Sequence, residues 1–566
     1  MNSDLYNHLA FLYGATSAAD LYQELQKIIG QFQAKRLRPF PDPLTERDAV
    51  LITYGDMVQR AAEAPLHTLS HFLRQRVAEI ISSVHVLPFY PYSSDDGFSV
   101  IDYHAVDPAL GTWADVAAIG ADFRLMFDGV INHISRESAW FQGFLRDEAP
   151  YRDYFITVDA AADLTAVFRP RALPLLTAVK TKSGTKHVWT TFSDDQIDLN
   201  YANPAVLLAI IEVLLFYVAQ GADLIRLDAI AFMWKEIGTS CIHLPQTHRI
   251  IQLLRAVLND VAPHVVLITE TNVPHEDNIS YFGNGRNEAQ LVYNFSLPPL
   301  TLHAFHSGSA AILSQWAATL TLPSDHVTFF NFLASHDGIG VTPTRGILPE
   351  TAVAAMAARV QALGGEVSYR TNPDGSQSAY ELNINYLDAL GDPTQPDEPT
   401  QTIAQRFLAA QGIMLALRGV PGIYFHSLFG SRGWPQGVAQ TQHKRTINRQ
   451  KLAYETITAE LDTAGTLRQI VFDGYRQMLQ ARARSAAFHP NGEQAILTLH
   501  PAIFAVQRTS PDGSASVLCL HNVANDTIPV TLPPGDFTDL LTKRPFSGQI
   551  QIRPYQVLWL QETSCA

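Results

Sequence analysis

The sequence predicts an α/β protein built on a (β/α)8 TIM barrel, and three observations predict it. Eight short apolar or aromatic runs each end in polar residues, helical periodicities separate most of them, and two polar stretches between them are too long for simple crossovers. The runs are AVLITYGD (49–56), SVHVLPFYP (83–91), FRLMFDGVINH (123–133), DLIRLDAI (223–230), VVLITETN (265–272), LVYNFSLPP (291–299), TFFNFLASHD (328–337) and GVPGIYFHS (419–427). Strands that alternate with helices form parallel sheets, because a parallel connection has to cross back over the sheet.

The helices follow from period. LHTLSHFLRQRVAEII (66–81) and THRIIQLLRAVLNDVA (247–262) place apolar residues on one helical stripe. VLLAIIEVLLFYVAQ (206–220) is apolar almost all round but carries Glu212 and is short for a bilayer span, so it is expected to be a buried helix. The long gaps at about 134–200 and 338–402 contain FRPRALPLL, RTNPDGSQSAYELN and GDPTQPDEPT, which read as inserted subdomains at the substrate end of the barrel. Past residue 490 short alternating runs, among them IFAVQRTS, SVLCLHNV and QIQIRPYQVLWLQ, predict a C-terminal antiparallel β domain, read as a sandwich.

Composition narrows the function. A formal charge of −14 with scattered Lys and Arg disfavours a nucleic-acid partner, whose phosphates require a basic stripe. The three cysteines, Cys241, Cys519 and Cys565, lie far apart without a CxxC, so neither a disulfide framework nor a zinc site is expected. MNSDLYNHLAFLYG lacks the pattern of a secretory signal, and a cytoplasmic protein without a membrane partner is expected.

Within LIRLDAI, Arg226 and Asp228 are two residues apart, so on a strand they share a face. Opposite charges facing inward from an apolar strand cost desolvation energy, which chemistry at the barrel mouth would justify. The other strand ends bring Asp128, Asn132, His133, Glu270, His336 and Asp337 toward the same mouth. A single acid there is most often a cap or a loop ligand. Three on separate strands suit the stabilisation of an oxocarbenium-like sugar cation, with one carboxylate attacking and another donating a proton. His133 and His336 lack a partner at metal-ligand spacing and are read without a metal. Taken alone, Phe98, Trp189, Phe192 and the RPR of 169–171 read as packing and loop material.

DGVINH (128–133), IRLDAI (225–230), LITETN (267–272) and ASHD (334–337) resemble the four short motifs of the α-amylase superfamily, glycoside hydrolase family 13. LPFYPYSSDDGFSVIDY, KEIGTSCIHLPQTH, SLPPLTLHA and RTINRQ are similar to its sucrose phosphorylase branch over nearly the whole chain. The resemblance implies Asp228 as nucleophile, Glu270 as general acid/base and Asp337 as transition-state stabiliser. It implies a glucose subsite of Asp95, Phe98, His133, Phe192, Gln196, Arg226, His336 and Arg449. Arg171 and Tyr380 fall where loops of that branch present phosphate-binding and acceptor-binding groups, and Arg432 and Arg445 are further candidates for an anionic acceptor.

An N-terminal helical segment at about 1–48, SAYELN, GSRGW and TRGILPE depart from sucrose phosphorylases and look more like the glucosylglycerate phosphorylases. What the likeness implies is a retaining transferase that cleaves 2-O-α-glucosylglycerate with inorganic phosphate, with no cofactor and no metal, Asn132 serving as a hydrogen-bonding residue. Sucrose, sucrose 6'-phosphate and glucosylglycerol are the alternative donors, plain hydrolysis is a third reading, and a non-catalytic barrel would have lost the acids. The expected division is 1–133 (extension and first barrel part), 134–200 (insertion), 201–337 (barrel), 338–402 (insertion), 403–490 (barrel end) and 491–566 (β domain).

Overall fold

The computed structural model describes residues 3–33, 43–170, 173–371, 376–395 and 397–563. All eight expected runs contribute strands to one closed parallel barrel: β1 (Val50–Thr53), β2 (Ser83–Val86), β3 (Arg124–Gly129), β4 (Ala222–Leu227), β5 (Val266–Thr269), β6 (Leu291–Tyr293), β7 (Thr328–Asn331) and β8 (Val420–Tyr424). Neighbours in sequence are neighbours in the sheet, and β8 closes on β1 with Val50 opposite Gly422. These strands read as unbroken apolar runs because helices cover their outer face and side chains fill the inside. Gly422 is required by that filling, since a Cβ there would come within 2.3 Å of the Phe330 ring.

The two N-terminal helices, α1 (Ser3–Tyr13) and α2 (Ala15–Gln33), pack against the outer helices α3 (Pro204–Ala219) and α4 (Pro245–Val261). This second cover explains why α3 is apolar nearly all round. Tyr13 donates to the Tyr201 carbonyl at 2.9 Å, and the Arg249 guanidinium lies 4.3 Å from the Phe11 ring centre. Asn203 caps α3 by accepting from the Ala205 N–H, with Pro204 in the first helical position where its missing N–H costs nothing. Among the described residues no helix is long and apolar enough to cross a membrane.

After β3 the chain makes a two-stranded ladder from His133–Ser135 and Gln196–Asp198 and a hairpin from Leu176–Thr181 and Gly184–Trp189. After β7 it makes a three-stranded sheet of Ile339–Gly340, Glu366–Thr371 and Gln377–Asn383, with a helix at Glu350–Ala362. Both excursions leave the same end of the barrel.

The C-terminal region is the expected antiparallel β domain, with its strands joined in one hydrogen-bonded order rather than two separate sheets. β9 (Glu493–Leu497), β10 (Ile503–Thr509), β11 (Ser516–Asn522), β12 (Ile528–Asp539), β13 (Pro545–Ile552) and β14 (Val557–Glu562) form one antiparallel sheet in the order β9-β10-β11-β14-β12-β13. No second sheet is needed on the inner side, because Phe504, Val506, Cys519 and Trp559 join the main core of the barrel. On the other face Leu518, Leu520 and Leu560 pack with Val530, Ile550 and Ile552 of the β12–β13 pair. QIQIRPYQVLWLQ divides into two strands, since Pro554 has no N–H for a ladder and Tyr555 takes a φ of +54°.

Candidate active site

The strand register assembles the floor of the site. Asp128 on β3 lies directly opposite Arg226 on β4, and Asp228 follows two residues later on the same face. One Arg226 nitrogen, Nη1, donates to Asp128 Oδ1 at 2.5 Å and to Asp228 Oδ1 at 2.9 Å, while Nη2 lies 3.8 Å from Glu270 Oε2. His85 Nε2 meets the other oxygen of Asp128 at 2.7 Å. Glu270, the residue after β5, accepts from the Ala229 N–H at 3.1 Å, and Ala229 holds a φ of +50° to aim that donor. Two carboxyl groups therefore share one guanidinium and adjacent backbone.

Around this floor, Phe98 stacks on His336 with ring centres 4.6 Å apart. The Phe98 carbonyl accepts from Gln196 Nε2 at 2.9 Å and lies 2.9 Å from His133 Nε2. Arg449 reaches over the top: Nε donates to the His336 carbonyl at 2.9 Å, Nη1 to Asp96 at 2.6 Å, and both Asp95 and Asp337 lie 3.5 Å from its terminal nitrogens. The turn that presents Asp95 and Asp96 uses positive φ at both and at Gly97, where a Cβ would sit 2.5 Å from the Pro88 carbonyl oxygen. Phe192 tilts against His133 at 5.3 Å.

These groups open into a cavity whose outer wall comes from the excursions: Phe168 from the first, Tyr380 and Glu381 from the second, and Asn272 and Arg445 from neighbouring loops. Arg445 Nη1 lies 2.6 Å from Asp337 Oδ1, and its Nε donates to Glu381 Oε1 at 3.1 Å.

The family description "Alpha amylase, catalytic domain" matches residues 80–342. The chain is 50% identical to the glucosylglycerate phosphorylase of Spirochaeta thermophila, over 98% of this chain and 97% of that protein. The chain belongs to the glucosylglycerate phosphorylase family. The sucrose phosphorylase of Streptococcus mutans is further off, at 27% identity over 85% of this chain and 97% of that one. The crystal structure of sucrose 6F-phosphate phosphorylase from Thermoanaerobacter thermosaccharolyticum superposes with a TM-score of 0.73 at 25% identity, covering 84% of this chain and 94% of that one.

Burial sets the protonation pattern of this phosphorylase-family site. Desolvation pushes Glu270 up to about 7 and Asp228 up to about 6, against the pull of Arg226. Neighbouring carboxylates add to the burial: Asp228 and Asp337 raise Glu270, and Asp128 and Asp337 raise Asp228. Burial works against ionisation of Asp337 as well, but Arg445, His336 and Arg449 outweigh it and hold that carboxyl well below its usual range. Asp128 is lowered to about 2 because His85 and Arg226 overcome its desolvation. Desolvation drops His336 to about 3 and lowers His133, so both rings are neutral in the site.

Of the residues singled out in the sequence, Asp95, Phe98, His133, Phe192, Gln196, Asp228, Glu270, His336, Asp337, Tyr380 and Arg445 line one cavity, with Arg226 and Arg449 tied to them from behind. Arg432 is not among the lining residues; its side chain is 54% exposed and pairs with Asp388 at 2.7 Å. Arg171 lies outside the described residues. Sequence reasoning missed His85, Asp96, Glu381 and Lys235. The Lys235 ammonium lies 2.5 Å from Asp198 Oδ2 and 3.1 Å from Asn132 Oδ1, so a protein cation neutralises this buried polar corner. Among the described residues no group of three or more His, Cys, Asp or Glu side chains is arranged to hold a metal ion.

Proposed function

We propose that this chain is a retaining glycoside phosphorylase that converts 2-O-α-glucosylglycerate and inorganic phosphate into α-glucose 1-phosphate and glycerate. The observation that carries the reading is identity of about half over nearly the full length with proteins named glucosylglycerate phosphorylase.

Retention requires two carboxyl groups about 5 to 5.5 Å apart, one to attack and one to move a proton. Asp228 and Glu270 reach the same guanidinium, which supports those two roles. In the first half-reaction Glu270, raised toward neutral pH, gives its proton to the glycosidic oxygen while Asp228 bonds to the anomeric carbon from the opposite face, and glycerate leaves. In the second half-reaction Glu270 takes a proton from phosphate as a phosphate oxygen displaces Asp228, so the α configuration is restored. Asp337, kept anionic by Arg445, stabilises the cationic sugar between the two steps. Phe98, His133, Gln196 and His336 form the glucose pocket, with Arg449 holding the His336 carbonyl from behind, and Arg445 and Tyr380 face the departing and incoming anion.

The test is glucose 1-phosphate formation from glucosylglycerate, sucrose, sucrose 6'-phosphate and glucosylglycerol with inorganic phosphate. Turnover confined to glucosylglycerate is expected. Faster turnover of any other donor would replace the acceptor half of this reading and leave the floor chemistry in place, while glucose release without phosphate would make the enzyme a hydrolase.

A further inference from the structure

Both acceptors in the reaction above are anions, yet the acceptor side of the cavity carries a buried carboxylate that the reaction does not use. Glu381 is 2% exposed and lines the cavity next to Tyr380. Its Oε1 accepts from the Gly338 N–H at 2.7 Å and from Arg445 Nε at 3.1 Å, and its Oε2 lies 3.4 Å from both Nε and Nη2 of Arg445. The approach depends on Gly338, because a Cβ there would come within 2.7 Å of Glu381 Cγ. Asp337 holds the remaining arm, Nη1, of the same guanidinium at 2.6 Å. Every nitrogen of Arg445 therefore faces a carboxylate.

Arg226 is buried against Asp128 and Asp228 and Arg449 against Asp95 and Asp96, with arginine side chains 3% and 5% exposed. Arg445 opens toward the acceptor, at 19% side-chain exposure. An incoming phosphate or carboxylate would be drawn to the Nε–Nη2 edge, the fork that suits a two-oxygen anion. Glu381 occupies that edge.

We propose that Glu381 is an internal competitor for the acceptor anion: its carboxylate holds the Arg445 edge that phosphate or the glycerate carboxylate would take, and it is displaced when either binds. This rests on the anionic-acceptor reading under Proposed function. Two consequences follow from charge. Removing the carboxylate charge both frees the guanidinium edge and removes a like charge beside the ligand, so both acceptors bind more tightly. The gain is larger for phosphate, which carries between one and two charges at neutral pH, than for glycerate, which carries one.

The test is Glu381→Gln, which keeps an acceptor for the Gly338 N–H while deleting the charge. The KM for phosphate in phosphorolysis is expected to fall about tenfold and that for glycerate in the reverse reaction about threefold, in line with loss of one nearby like charge. A rise in either KM, or values within twofold of the parent, would overturn the proposal and make Glu381 an orienting residue for Arg445 or a binder of acceptor hydroxyls. Glu381→Asp, which withdraws the carboxylate by one methylene, reads the same direction with a smaller fall should the first variant not fold. Calorimetric titration of inorganic phosphate into parent and Glu381→Gln protein reads the competition without turnover: tighter binding by the variant supports it, and equal or weaker binding overturns it. A parent enzyme that makes no glucose 1-phosphate from glucosylglycerate would instead remove the functional reading, and the titration would still decide the role of Glu381.

Discussion

The floor of the cavity and its outer wall are built by different means. Floor groups stand on or directly after barrel strands and are tied to one another: His85 to Asp128, Asp128 to Arg226, Arg226 to Asp228. Wall groups come from Phe168 and Tyr380 in the two excursions, from Asn272 in the segment after β5 and from Arg445 in a short 3-10 helix, Lys444–Asn448. Rigid strands set positions to a fraction of an ångström, which bond making requires, whereas loops can change without disturbing the sheet. The proposed function accordingly assigns glycosyl chemistry to the floor and the choice of acceptor to the wall.

The largest effect that would break this division is at Asp228. Asp228→Asn keeps the volume and a hydrogen-bonding oxygen for Arg226 but removes the proposed nucleophile, so kcat should fall by about 10^4-fold or more for every acceptor alike. Activity near that of the parent, measured as glucose 1-phosphate formation, would move the nucleophile elsewhere.

Glu270→Gln comes next, with an expected loss of about 10^2–10^4-fold on glucosylglycerate. Its pH profile sharpens the point. The parent needs Glu270 protonated and Asp228 ionised in the first half-reaction, so kcat/KM should decline above pH about 7 and below about 6. The variant should lack the alkaline limb. Stability carries the opposite sign: the folded-state value of Glu270 is raised, so its contribution is fully present below its unfolded value near about 4.3 and is lost as pH rises through about 7. Thermal melts should therefore show Glu270→Gln above the parent at pH 8, with the gap closing toward pH 4.

How much of this was legible in the sequence follows the same division. Floor residues announce themselves because a charge inside an apolar strand has few structural uses, and Arg226, Asp228 and Glu270 are such charges. His85 escaped notice because SVHV reads as an ordinary strand, and only the barrel register brings it to Asp128. Lys235 sits in an irregular stretch after β4, and its partner Asp198 lies far back in the chain. Glu381 alternates into the cavity from a strand of the second excursion, whose place over the mouth no local pattern reveals. The C-terminal sheet was legible as strands, but its packing was not, because what covers its inner face is the barrel itself.

On the wall, Arg445→Lys should raise the KM for phosphate about tenfold with a smaller change in kcat. Lysine keeps the charge but loses the fork that meets two oxygens and the reach to both Asp337 and Glu381. Initial rates at varied phosphate decide it, and an equal loss at saturating phosphate would place Arg445 in the floor's chemistry instead.

The smallest expected effect marks where the wall ends. In the sequence Arg432 and Arg445 look alike, each an arginine in a loop after the eighth strand. The fold separates them: the Arg445 guanidinium is wedged between two carboxylates at the cavity, whereas Arg432 pairs with Asp388 on an exposed rim, where water screens the charges. An exposed pair of that kind contributes on the order of 0–1 kcal/mol, and Asp388 keeps its second oxygen on the Gly433 N–H at 2.6 Å when the arginine is gone. Arg432→Ala should therefore leave the KM for phosphate within about twofold and shift the melting temperature by little. A tenfold rise in that KM would mean that the loop around GSRGW reaches the bound anion, and would extend the acceptor wall to residues outside the cavity lining.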